Sequence, residues 1–202
     1  MTHSESTLKT KNMLATALHK TLESKSFDRI TISEMIESCG INRKTFYYHF
    51  QDMFDLLSWM MNQEAISVFK EINLPYDYNI AIEFVMDYID DNTDMLKNVI
   101  YSSGREEIHR FFLNSFLGIA DSIIKSVEEL IGKNIDDTYR EYLCQFYCNA
   151  VAGMMIYWIE NGEGRDREYA KNTIADIITK SLVEILSKYK NLAESSNSFP
   201  IE

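Results

Sequence analysis

The chain has 202 residues, 46% of them hydrophobic and 12% aromatic, which supplies a packed core and excludes a disordered polymer. Its net charge of −11 is the wrong sign for a protein that meets DNA over its whole surface. Only 7 Gly and 2 Pro occur, too few for the many turns of a β-rich chain, so the composition predicts an all-α fold.

The first predicted helix carries Leu14, Ala17, Leu18, Thr21 and Leu22 on one face. Phe27 and Ile30 bracket a short polar link, Asp28-Arg29. Thr31 is a good N-cap, and Glu34 three residues on completes a capping-box pattern. The second helix follows, with Ile32, Met35, Ile36 and Cys39 on its buried side. Gly40 stops it by taking a left-handed backbone, Ile41 plugs the turn, and Asn42 caps the next helix.

The third helix, about Arg43 to Phe50, divides its labour. Phe46 and Phe50, four apart, anchor it; Arg43, Lys44, Tyr47 and Tyr48 fall on the other side, with Thr45 and His49 at the margins. Every outward residue is a hydrogen-bond donor, as phosphates and the acceptor edges of bases require. The residues alone leave two readings of this face, a DNA contact or a solvated surface with incidental tyrosines.

Charge is unevenly divided. Residues 1–62 hold seven bases and seven acids, so the whole excess of −11 lies beyond them, and no acid occurs between Gly40 and Gln51. A neutral head with a local basic surface can approach phosphates that repel an acidic body.

The run Ile30 to Phe50, with its Thr-capped helix, Gly-hydrophobic turn and Thr45-Phe-Tyr-Tyr-His-Phe50, resembles the head of TetR-family regulators. The resemblance implies an all-helical homodimer whose heads read two half-sites of a double-stranded DNA operator in successive major grooves. It assigns Arg43, Lys44, Thr45 and Tyr48 to base reading, Tyr47 and His49 to phosphates, Thr31 to a phosphate at the start of the second helix, and Ser33 to an occasional base contact. One position departs from the pattern: Met53 stands where the family usually carries a lysine that grips the backbone. Gln51, Lys9 and Lys11 are the groups available to compensate.

Asp52 is placed to cap a fourth helix running through Trp59 and Met60 to about Ile72, broken by Asn73-Leu-Pro75. Further helices are predicted near Asn79–Asp91, Asp94–Tyr101, Arg105–Ile131, Asp136–Asn161 and Asp166–Lys190, followed by a frayed Ser/Asn-rich tail. The organisation expected is a three-helix helix-turn-helix head (1–62), a linking helix into a larger helical regulatory and dimerisation body (63–191), and a flexible tail (192–202).

The last two long helices, joined through Asn161-Gly-Glu-Gly164, carry wide apolar stripes. The family resemblance makes them a four-helix dimer interface, with Gly153 permitting close approach. Ala152 to Gly162 also resembles the corresponding helix in the branch that includes dihydroxyacetone-kinase operon regulators. The resemblance further implies a small-molecule or protein effector. Candidate lining residues are Tyr88, Tyr101, His109, Phe112, Phe116, Tyr147, Met154 and Trp158, a set that ordinary core packing would equally explain.

No catalytic order of Ser, His and Asp, no HExxH motif and no phosphate loop occurs, so neither an enzyme nor a cofactor is expected. Cys144 and Cys148 sit four apart but have no further His or Cys close by for a metal, and with Cys39 they read as buried thiols. No apolar run approaches the ~20 residues of a membrane span, and the polar N-terminus carries no signal stretch, so a cytoplasmic chain without a membrane partner is expected. Repression is the family's commoner mode and is the default; activation, or a protein-interaction role under a partner's control, is the alternative.

Overall fold

The computed structural model describes residues 3–69 and 78–189. The expected break at Asn73–Pro75, the last turn of the fourth helix to Ile72, and the tail after Asn191 lie outside the described residues. Among those described, nine α-helices and no strand occur: α1 (His3–Leu22), α2 (Ile32–Ser38), α3 (Arg43–His49), α4 (Met53–Phe69), α5 (Tyr78–Asp91), α6 (Thr93–Ile100), α7 (Arg105–Ile131), α8 (Asp137–Asn161) and α9 (Arg167–Ser187).

The helix starts follow the capping residues. Thr31 Oγ1 accepts from Glu34 N–H at 3.2 Å, and Asn42 Oδ1 from Thr45 N–H at 2.8 Å. Asp52, Asp136 and Asp166 do the same for α4, α8 and α9. Each cap satisfies a backbone donor that the helix itself leaves unpaired. Gly40 adopts φ 62° between α2 and α3, a conformation in which any side chain would be strained.

In the head, Leu14, Leu18, Leu22, Phe27, Ile30, Met35, Phe46 and Phe50 form one buried cluster. The cluster continues through Leu56, Leu57, Met60 and Met61 of α4 into Val85, Met86 and Ile89 of α5 and on to α6, α7 and α8. A second cluster at the far end of the body joins Ile124, Val127, Ile135, Leu143, Cys144, Tyr147, Leu182 and Leu186. α7 is the central post. It runs antiparallel to α8, tied by Arg105 with Glu160 at one end and by Arg140 with the buried Glu128 (3.0 Å) at the other. α8 and α9 are also antiparallel: Tyr147 and Ser181 share a 2.9 Å hydrogen bond, and the rings of Tyr139 and Tyr189 meet at a tilt, 4.6 Å apart.

Head and body meet at the corner between α6 and α7. Asn98 Nδ2 donates to the carbonyl of Leu22 at 2.9 Å, and Ser103 donates its backbone N–H (3.1 Å) and its hydroxyl to Asp28. Gly104 sits between them because a Cβ there would come within 2.6 Å of Val99 Cγ1 and 3.3 Å of Leu57 Cδ2. Cys144 and Cys148 are buried, and burial pushes the Cys148 thiol up to about 12, so it packs as a small apolar group.

Candidate nucleic-acid interface and effector cavity

α3 is short and depends on its neighbours for position. Phe46 is fully buried and Phe50 is 2% exposed; their rings lie 6.0 Å apart, and Phe50 meets Trp59 of α4 edge to face at 5.9 Å. The opposite side is open. Arg43 and Lys44 are exposed, as are Tyr47 (48%) and Tyr48 (66%), a large aromatic exposure for so short a helix. Arg43 donates to Tyr47 Oη at 3.3 Å with its guanidinium 5.7 Å from the ring centroid, which braces the fork before any ligand arrives. Among the described residues, neither Arg43 nor Lys44 forms an ion pair with a carboxylate. Thr45 donates its hydroxyl to Asn42 Oδ1 at 3.1 Å, and His49, half-buried, lies against the Tyr48 ring at 4.9 Å.

The six α3 residues singled out by sequence are thus brought onto one short helix. Thr31 and Ser33 sit exposed at the start of α2, which packs against α3. Glu34, inside that turn, points elsewhere: a hydrogen bond from Lys25 at 2.6 Å, helped by the Thr31 backbone N–H, holds its carboxyl below the usual range. Met53 is half-buried against the core, so the first turn of α4 offers packing where the family pattern would offer a cation.

The body holds a cavity of about 70 Å³ between α5, α7, α8 and α9. Ile82, Val85, Ile119, Ile123, Val151 and Ile178 give it aliphatic walls, while among the described residues Tyr147 and Thr179 supply its hydroxyl-bearing lining. Of the eight residues proposed from sequence, Phe116 and Tyr147 line it. Phe112 is buried beside it, stacked on Phe116 at 5.9 Å. Tyr88 points toward α4, its hydroxyl 3.9 Å from Met61 Sδ, and Trp158 directs Nε1 to Asp90 at 3.5 Å. His109 lies in an open surface groove with Ser103, Arg105 and Tyr157. Tyr101 (64% exposed, on the turn closing α6) and Met154 (44%) face outward, away from this cavity. Most of the cavity wall is aliphatic, a class of side chain that a selection by aromaticity does not include. Ala120, small amid Ile119, Ile123 and Ile124, is the signal that space would open there.

A second open surface runs along the last two helices. Tyr142, Phe146, Gly153 and Tyr157 recur at helical spacing on α8, all exposed, with Tyr169, Ile177 and Val183 exposed on α9. Nothing lies within 4 Å of a Cβ built at Gly153.

No described helix is long and apolar enough to cross a membrane, and no described group of His, Cys, Asp and Glu could hold a metal.

Comparison with known proteins places these features. Residues 14–58 match the profile of bacterial regulatory proteins of the tetR family, and residues 78–181 match a transcriptional regulator C-terminal region. The chain is 20% identical over 162 residues to the HTH-type dhaKLM operon transcriptional activator DhaS of Lactococcus lactis subsp. lactis strain IL1403, covering 80% of this chain and 86% of that protein. Among solved structures it is similar to the dihydroxyacetone kinase operon activator DhaS, with TM-score 0.62 at 19% identity over 90% of this chain and 98% of the other. It is also similar to the TetR family repressor AlkX of Dietzia sp. strain DQ12-45-1b, with TM-score 0.51 at 14% identity over 87% and 96%.

Proposed function

The chain belongs to the TetR family of DNA-binding transcription regulators, and from that premise we propose that it acts as a homodimer on a palindromic operator through α3. The observation that carries the reading is the outward face of α3: two cations with no carboxylate partner among the described residues and two exposed tyrosines, fixed from behind by Phe46 and Phe50. Arg43, Lys44, Thr45 and Tyr48 read base edges; Tyr47, His49 and Thr31 hold phosphates, with Ser33 beside them. The exposed stripes of α8 and α9 bury against a second copy, where Gly153 lets the helices approach. Functionally the chain divides at about residue 62 and works in the cytoplasm, without cofactor or catalysis.

The body responds to an effector. A cavity of about 70 Å³ is roughly half the size of one that holds benzene, so anything larger must separate α5 or α9 from α7. Such a shift favours one body shape over another, which is what an effector must do. α7 begins at the corner where Asp28 and Asn98 tie the head down, so a displaced α7 moves the head.

Repression is the default mode. Activation is the second reading, supported by the two matches to proteins named as activators. Deleting the gene and measuring transcripts of its neighbours decides: they rise if it represses and fall if it activates. Binding itself is tested by titrating the chain onto its own upstream DNA, where Arg43→Ala combined with Tyr47→Ala should abolish preference over random duplex. Unchanged preference refutes the reading.

A further inference from the structure

Lys11 is a cation of α1 whose position is set by the recognition helix. Its Nζ stands 5.0 Å from the centroid of the Phe50 ring and 5.6 Å from that of Trp59. Phe50 closes α3, and Trp59 belongs to α4, so the side chain reaches from α1 to the C-terminal end of α3. The contrast with Lys25 is informative. Lys25 donates to Glu34 at 2.6 Å, and that pair presents little net charge to an approaching anion. Among the described residues no carboxylate pairs with Lys11. Two aromatic rings orient an ammonium through their quadrupoles but carry no charge, so its full positive field stays available. The half-buried stem is already ordered on the rings, which lowers the entropy lost when the head group takes a ligand. The neighbouring first turn of α4 supplies no cation: Met53 packs inward, and Asp52 and Asp55 are acids bound to backbone N–H groups.

We propose that Lys11, seated on Phe50 and Trp59, holds a backbone phosphate of the duplex at the C-terminal end of α3. The proposal rests on the reading of α3 as the DNA-contacting helix. A helix in a major groove ~12 Å wide has a sugar–phosphate wall on either side. A cation mounted on a neighbouring helix, beyond the end of α3, meets that wall and not the base edges. Its contribution is therefore position and salt-dependent affinity, with no sequence preference of its own.

The test uses the full chain and a random-sequence duplex, with affinity measured across a range of salt concentrations. Lys11→Met keeps an apolar stem on the rings and removes the charge. It should make the slope of log K against log salt shallower by about 0.9 per head, while Lys11→Arg retains the wild-type slope. Lys20→Met, which removes an exposed charge elsewhere on α1, should leave the slope as it is. A wild-type slope in Lys11→Met overturns the proposal, and so does an equal loss in Lys20→Met. Arg43→Ala, with both variants titrated onto the chain's own upstream DNA, separates the two levels. If it weakens binding while Lys11→Met does not, Lys11 alone is misassigned; if Arg43→Ala is also silent, the reading of α3 has failed.

Discussion

The head and the body solve different problems with the same element. In the head, seven-residue helices are held by explicit local devices, and little of their length is spare. In the body, helices of 21–27 residues are held by broad apolar faces with several neighbours, so many side chains share each task. The head is electrically neutral over residues 1–62 while the body carries the whole net charge of −11. A short, capped, neutral head presents one functional face whose members can be named. A long-helix body spreads its function over packing.

The comparison can be broken first at the anchors. Phe46→Ala should destabilise the head by about 3–5 kcal/mol, since it empties a fully buried site. DNA binding should be lost while the body still associates, read by sedimentation alongside titration with DNA. Phe112→Ala removes a ring of the same size from the body, and its loss should appear as a lower melting temperature for the whole chain.

Arg43→Ala should reduce discrimination between operator and random DNA by about 1–3 kcal/mol, while Tyr47→Ala should weaken binding to both and cost discrimination only through its brace on Arg43, with helix content unchanged by circular dichroism. Because Arg43 is braced by Tyr47, their effects should be less than additive.

A smaller effect separates capping from contact. Asn42→Ala removes the acceptor for the Thr45 N–H and hydroxyl and should cost about 1 kcal/mol of stability, seen as an earlier urea midpoint. Asn42→Asp should recover most of it.

The smallest expected effect is in pH. The Tyr189 hydroxyl, followed by the Tyr139 backbone N–H, holds Asp136 below its ordinary value; in the head, Lys25 does this for Glu34. A depressed carboxyl contributes stability above the unfolded value of about 4, lost as pH falls through the folded one. Tyr189→Phe and Lys25→Met should therefore each move acid unfolding to slightly higher pH, followed by tryptophan fluorescence.

Legibility in the sequence followed the same division. The head could be read because its determinants are local: Thr31, Gly40, Asn42 and Asp52 act on residues within a few positions, and Phe46 and Phe50 meet on one turn. Arg105–Ile131 emerged with the predicted ends, since Gly132 turns left-handed at φ 64°. The cavity was legible only through Phe116 and Tyr147, because space is set by how four helices meet and no short pattern encodes it. The corner contacts of Asp28 with Ser103 and Asn98 with Leu22 span 75 and 76 residues and carry no sequence signal. The seating of Lys11 on Phe50 and Trp59 was likewise invisible, being a meeting of three helices.

The central claim is that one helix face in each of two heads reads DNA while the body joins them. Hydroxyl-radical footprinting on the DNA upstream of the gene tests it most directly. Two protected patches are expected on one side of the duplex, separated by about 34 Å or a multiple of it, both lost in the Arg43→Ala, Tyr47→Ala double variant. A single patch, or the same protection by the double variant, would contradict it.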